Sequence, residues 1–459
     1  MRRFLSPVLL LLSCVFIFAS CLKNDNDEVT LYDDTAITSF QITTAKIYHH
    51  TLSSTGADSV YVETSTAVSN YPFSINQQTG EISNIDSLPV GTDASTLLCS
   101  YSSKNNGYVM IQNIGSDTIR YLSTTDSTDF SVPRTLKVLS SDGKNSRDYT
   151  VNVKIHKEDG DKFVWQSMPI CTSFTSLSSM KAVAWGNRLL VLGNENGQTV
   201  GYISSQNGTD NWTRIDGYTF SADAYKSVAI KDNQIFILDN GVLKKSSDGN
   251  SFSDIVTNPA LLQLLGASRT EMYALSADST LMVSTDNGVT WSVDDMDDNK
   301  KWLPTENISL CDASFNYSDS TDYVLLAGNR SLLEDTTATV WRKIVEYGAV
   351  KEHSQWSHIA FDDTNHNPLA RLDGLTVLPY DNKFVAFGIV GQEQTFSNVY
   401  ESIDGGITWK VSSSYTLPSA FTSSISQYVA TVDSDNYIWL ISGQTGRVWK
   451  GRLNRLGWK

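Results

Sequence analysis

Six apolar runs recur along the C-terminal two thirds of the chain: RLLVLGN from Arg188, QIFILDN from Gln234, EMYALSA from Glu271, YVLLAGN from Tyr323, KFVAFGI from Lys383 and YIWLISG from Tyr437. Each is short and nearly continuous, which suits a strand buried on both faces, and no segment sustains a helical period. Four of the runs follow Gly186-Asn187, Asp232-Asn233, Asp381-Asn382 or Asp435-Asn436, residues that accept positive φ and make tight hairpins. Another apolar strand such as AVAW, SVAI or LTVL precedes each turn, and a third strand follows each run. An aromatic then opens a fourth: Trp212, Phe252, Trp291, Trp356, Trp409 and Trp458. Four strands per unit, with about 40 to 65 residues between aromatics, predict the blades of a β-propeller. Phe163-Val164-Trp165-Gln166 offers one more aromatic strand, which pairs with the last unit to close the ring. Residues 163–459 therefore read as a six-bladed propeller, with seven blades as the alternative.

The pattern changes upstream. Residues 31–157 alternate short β-rich runs (ITSFQIT, DSVYVET, GYVMIQN, TLKVLSS, DYTVNVKI) with clusters of Ser, Thr, Asn, Asp and Gly, as in a β-sandwich. The segment VLSSDGKNSRDYTVNVKIHK resembles the closing hairpin of immunoglobulin-like and cadherin-like modules. Residues 158–162 are a charged linker, so the fold class is all-β throughout.

At the start, Arg2 and Arg3 precede an apolar run from Val8 to Phe18 that is too short to span a bilayer comfortably. Residues 1–20 read as a signal peptide, and Phe18-Ala19-Ser20-Cys21 resembles a bacterial lipobox, which implies lipidation of Cys21 after cleavage. Residues 21–30 form an acidic tether. Leu22 in place of aspartate, with Lys23, Asp25, Asp27 and Glu28, resembles the surface-export signal of Bacteroidota lipoproteins. The expected location is the outer membrane facing the exterior, with the periplasmic face as the alternative. Losing residues 1–20 takes the net charge from −15 to −17, which repels phosphate backbones and argues against nucleic acid as a partner. Cys99, Cys171 and Cys311 remain, an odd set without a CxxC pair, so they predict neither a disulfide framework nor a zinc site.

One octapeptide repeats almost exactly. Ser402-Ile403-Asp404-Gly405-Gly406-Ile407-Thr408-Trp409 and Ser284-Thr285-Asp286-Asn287-Gly288-Val289-Thr290-Trp291 match the Asp-box of sialidase-type propellers, and Ser246-Ser247-Asp248-Gly249-Asn250-Ser251-Phe252 is a shortened copy. In families that carry the box it is a turn on the outer rim, away from the channel where ligands bind. Its aspartate bonds backbone N–H groups and its glycine takes a left-handed conformation, so these are structural residues. The Phe/Tyr-Arg-Ile-Pro segment usual in sialidases is missing, and no catalytic residue is nominated. Asp294 to Asn299 (DDMDDN) is rich enough in carboxylates to raise calcium, yet it lacks the glycine and spacing of a known loop and reads as a solvated connection. His353, His358 and His366 read as scattered surface histidines; Trp356 and His358 are the only ligand candidates, Trp356 doubling as a packing aromatic.

The whole resembles an uncharacterised family of two-domain Bacteroidota lipoproteins. The resemblance implies an architecture and no activity. The function expected is a noncatalytic binding module for glycan or an envelope or host protein, anchored to the membrane by its lipid, with no cofactor and an open oligomeric state. The alternatives are a glycoside hydrolase or lyase with channel carboxylates, which would need two of them to converge, and a scaffold for envelope proteins.

Overall fold

The computed structural model describes residues 30–52, 58–205, 211–216, 218–255, 260–314, 320–332, 335–347, 354–362, 364–391, 395–421 and 427–458. The signal peptide, Cys21 and all but the last residue of the acidic tether lie outside them, as does His353. The chain divides into two compact units, Met1–Asp159 and Gly160–Lys459.

The first unit is β-rich, and its described residues form two sheets. Three strands run in the order Asp58–Ser65, Ile37–Leu52, Leu98–Ser103; six run in the order Phe73–Asn76, Glu81–Asn84, Ser146–Asn152, Arg134–Leu139, Tyr108–Gln112, Ile119–Tyr121. Arg134–Leu139 alternates buried and half-buried positions, so Leu136 and Val138 enter one core with Ile37, Ile42, Ile82, Val109 and Tyr149. This is the period of two that a half-covered strand requires. The chain turns between Arg134–Leu139 and Ser146–Asn152 at Gly143, with φ +74, where Ser140 Oγ donates to Asp142 Oδ1 at 2.5 Å. Glu81–Asn84 joins Ser146–Asn152 in parallel.

The second unit is a β-propeller. Its described residues form six sheets, and in chain order their innermost strands are Met180–Trp185, Val228–Lys231, Leu261–Ala267, Glu306–Ala313, Asp373–Tyr380 and Tyr428–Val432. The six apolar runs are the second strands. Arg188–Glu195 shows why they need no polar face: Leu190 and Leu192 pack toward the second sheet with Val228, Ile235 and Ile237, while Leu189 and Val191 pack toward the sixth with Trp439, Ile441 and Val448. Comparable cores lie between each successive pair of sheets, so the ring is closed. Both residues of the Asp232-Asn233 and Asp381-Asn382 turns take positive φ, between 49° and 57°; in the other two turns only Gly186 and Asn436 do.

Closure uses the two ends of the unit. Phe163–Ser167 pairs antiparallel with Val448–Leu453 and becomes the outermost strand of the sixth sheet. Trp458 therefore does not open a fourth strand there: it follows a 3-10 turn, Asn454–Gly457, and is 41% exposed. Arg455 clamps Asp381 with both terminal nitrogens and reaches Asp161 through Nε at 3.0 Å.

Candidate functional site

Three hairpins between third and fourth strands carry the repeated Ser-x-Asp pattern. In one, Asp404 Oδ1 accepts from Ser402 Oγ (2.8 Å) and Thr408 N (2.9 Å), and Oδ2 from Thr408 Oγ1 (2.6 Å). Asp286 binds Ser284 and Thr290 in the same way, and Asp248 accepts from Ser246 Oγ and from the Asn250 and Ser251 amides. Trp409 Nε1 donates to Gly406 O at 3.1 Å, as Trp291 does to Gly288 O at 3.0 Å. Gly288 and Gly406 have φ +85 and +91, and a Cβ on either would lie 2.4 Å from the neighbouring sheet's Leu243 or Leu325. The glycine is thus needed twice, for its torsion and for the close approach of two sheets. Phe252, in the shortened copy, packs against Tyr218 and Phe220. None of these residues lines the channel.

The channel itself runs through the ring and encloses about 830 Å³, within the range of roughly 300 to 1,000 Å³ usual for small-molecule sites. The innermost strands line it because their free edges face no further strand. Hence their sequences are less uniformly apolar than the second strands: Ser178, Ser179, Gln263, Asn307, Ser309, Thr376, Gln427 and Thr431 all contribute. Near the mouth where these strands begin, Lys226 pairs with Asp223 at 2.8 Å and Glu306 approaches Arg371 at 4.0 Å. Lys181 differs. It is half-buried, its Nζ donates to Lys226 O at 3.1 Å, and it has no ion pair among the described residues. Burial alone pulls its ammonium down to about 8. Tyr428, an aromatic of the lining, donates its hydroxyl to Gly374 O at 2.8 Å.

Asp312 stands toward the far end of the channel, near the end of its strand. Burial, reinforced by the charge of Asp322, pushes its carboxyl up to about 6. Asp322 is 2% exposed, engaged by Ser314 Oγ (2.5 Å), Tyr347 OH (3.1 Å) and Arg269 Nε (3.4 Å), and does not line the channel. The lining carboxylates Glu306 and Asp312 are six positions apart on one strand, which at ~3.3 Å per residue separates them by roughly 20 Å.

The two ligand candidates read from the sequence need correction. Trp356 is 0% exposed; its Nε1 donates to Asp294 Oδ2 at 2.7 Å and its ring meets Tyr273 edge-on. His358 is no surface histidine either: its side chain is 9% exposed and stacks on both Trp302 and Trp341, at 5.4 and 4.9 Å between ring centroids. Its Nδ1 is 2.8 Å from Asp298 Oδ2, and its amide donates to Asp297 Oδ1. Of the acidic run 294–299, Asp294 alone is buried, against Lys343, while Asp295, Asp297, Asp298 and Asn299 are exposed as a solvated connection requires. Among the described residues no group of three or more His, Cys, Asp or Glu is placed to hold a metal. Cys99 and Cys311 are buried and Cys171 half-buried, all as free thiols. Lys181 and Asp312 were not singled out from sequence; a charged residue inside an otherwise apolar or neutral inner strand is the signal that marks both.

Residues 159–459 match the DUF6242 beta propeller domain, and residues 40–153 match the N-terminal domain of the same domain of unknown function. No curated protein matches the chain. Similar solved structures include YCF48 bound to D1 peptide, at 14% identity over 63% of this chain and 95% of that one with a TM-score of 0.34. YCF48 from Cyanidioschyzon merolae shares 12% identity over 63% and 98%, with a TM-score of 0.31. A thermostable family-43 glycoside hydrolase shares 10% over 60% and 88%, with a TM-score of 0.27.

Proposed function

We propose that this chain, which belongs to the DUF6242 family, is a noncatalytic binding protein that takes a glycan bearing a carboxylate into the channel of its propeller. The observation that carries the reading is Lys181: a cation at the mouth of a channel lined with hydroxyls and amides, satisfied by one backbone carbonyl and by no acid among the described residues. A hydroxyl-rich ligand matches the neutral polar lining, and its carboxylate supplies the missing counter-charge. Hydrolysis by two carboxylates needs them within about 5 to 9.5 Å, and Glu306 and Asp312 stand much farther apart than that. In this reading the six sheets are six blades, the Ser-x-Asp turns are Asp-boxes that hold the rim, and the first unit is an immunoglobulin-like spacer. Residues 1–20 export the chain, lipid on Cys21 anchors it to the outer membrane, and the acidic tether holds it at the cell surface.

An array of neutral and uronate-containing oligosaccharides tests the proposal. Binding confined to the acidic members, weakened at least tenfold in Lys181→Gln and as pH rises past about 8, is the expected result. Equal affinity in Lys181→Gln, or release of reducing ends from any bound glycan, would overturn it. Cys21→Ala should move the protein from the membrane to the soluble fraction.

A further inference from the structure

A lysine and two carboxylates are enclosed together between the third and fourth sheets. Lys343, on Thr339–Glu346 of the fourth sheet, has a side chain 1% exposed, and those of Glu271 and Asp294, which flank strands of the third sheet, are 2% and 8% exposed. Nζ of Lys343 lies 2.8 and 2.9 Å from the two Asp294 oxygens and 3.0 Å from Glu271 Oε2. Tyr273 OH donates to that same Glu271 oxygen at 2.6 Å, and Trp356 Nε1 donates to Asp294 Oδ2 at 2.7 Å. Around them pack Leu281, Val324, Leu326, Trp341 and Val345.

We propose that Lys343 and Asp294 are joined by an isopeptide bond, formed by the protein itself with Glu271 as the proton shuttle. A lysine ammonium with two carboxylates leaves a net negative charge in an apolar site, which is costly. Passing a proton from the Lys343 ammonium to Asp294 gives a neutral amine beside a neutral acid, the pair that condenses, and leaves Glu271 ionised to act as the base. Burial raises the Asp294 carboxyl above its ordinary value despite the pull of Lys343, which favours the acid form. In the step, the Nζ lone pair attacks Cγ of protonated Asp294, whose developing oxyanion is met by the Trp356 indole N–H. Glu271 accepts a proton from the nitrogen and delivers it to the departing hydroxyl. One N–C bond forms, one C–O bond breaks and one water leaves; nothing is oxidised and no co-reactant is needed. The product removes two buried charges and links positions 49 residues apart in the chain, stapling one sheet to the next.

Tryptic mapping of the full chain reads this directly. An isopeptide at Lys343 blocks cleavage after it, so residues 343–351 should appear attached to residues 270–300, lighter by one water than the two peptides together. Glu271→Gln keeps the side-chain shape and removes the shuttle, and Lys343→Arg removes the nucleophile; both should give linear peptides. Wild-type protein in which Lys343 is cleaved normally and residues 270–300 have their full mass overturns the proposal. A cross-link that survives in Glu271→Gln overturns the assignment of the shuttle.

Discussion

Replacing Asp404 by Ala removes the acceptor that organises the hairpin of the fifth sheet. Three bonds are lost, from Ser402 Oγ, Thr408 N and Thr408 Oγ1. At about 1 kcal/mol net for each, and with the Thr408 groups partly able to find water instead, the loss should come to about 2 kcal/mol. The indole bond of Trp409 and the torsions of Gly405 and Gly406 stay in place, so the turn loosens without leaving its sheet. The effect must also depend on pH. Burial raises the Asp404 carboxyl, but the bonds from Thr408 and Ser402 outweigh it and hold it below 3.8. A depressed acid contributes stability above its unfolded value and loses it as pH falls through the folded one. The gap between wild type and variant is therefore full at pH 7 and closes in acid. Urea unfolding followed by tryptophan fluorescence, at pH 7 and in steps below pH 4, measures it. Equal stability at pH 7, or a gap that widens on acidification, would refute the hydrogen-bond account; loss of channel binding with an unchanged unfolding midpoint would move the binding site to the turn.

Gly406→Ala should cost more than Asp404→Ala, about 3 kcal/mol, because a φ of +91 is strained for alanine and its Cβ would lie 2.4 Å from Leu325 Cδ1. Gly143→Ala, with φ +74 but open space around it, provides the comparison and should lose only the torsional part, about 1 kcal/mol, with both variants measured by scanning calorimetry. Asp312→Asn should stabilise the propeller at neutral pH by about 3 kcal/mol. Its carboxyl is raised to about 6, so ionisation costs the folded state more than the unfolded one; the gain appears as pH rises from about 4 to 6 and is absent below, and a stability difference independent of pH would refute it.

Much of the architecture was legible because blade patterns are local. A strand enclosed by two sheets loses its polar face, so six apolar runs announced six second strands, and Gly288 and Gly406 announced turns whose torsions other residues resist. Where the sequence misled, the cause was distance along the chain. Asp294 read as one more solvated member of the run 294–299, yet it is buried by Lys343, 49 residues away. His358 read as a scattered surface histidine, and it lies on Trp302 and Trp341, which distant segments deliver. Trp356, by contrast, fills its aromatic slot as the packing residue that the pattern favours.

By itself, then, the amino-acid order determined the β class, the strand count per unit and the chemistry of each turn, since these rest on torsions and on contacts a few residues apart. Only the closed ring decided which side chains face the channel and which are sealed between sheets. Lys181 lines the channel because no further strand covers the inner edge, and Lys343 meets two acids because adjacent sheets press their faces together. Exposure, and with it protonation and reactivity, belongs to the packing of distant strands, which no local pattern records.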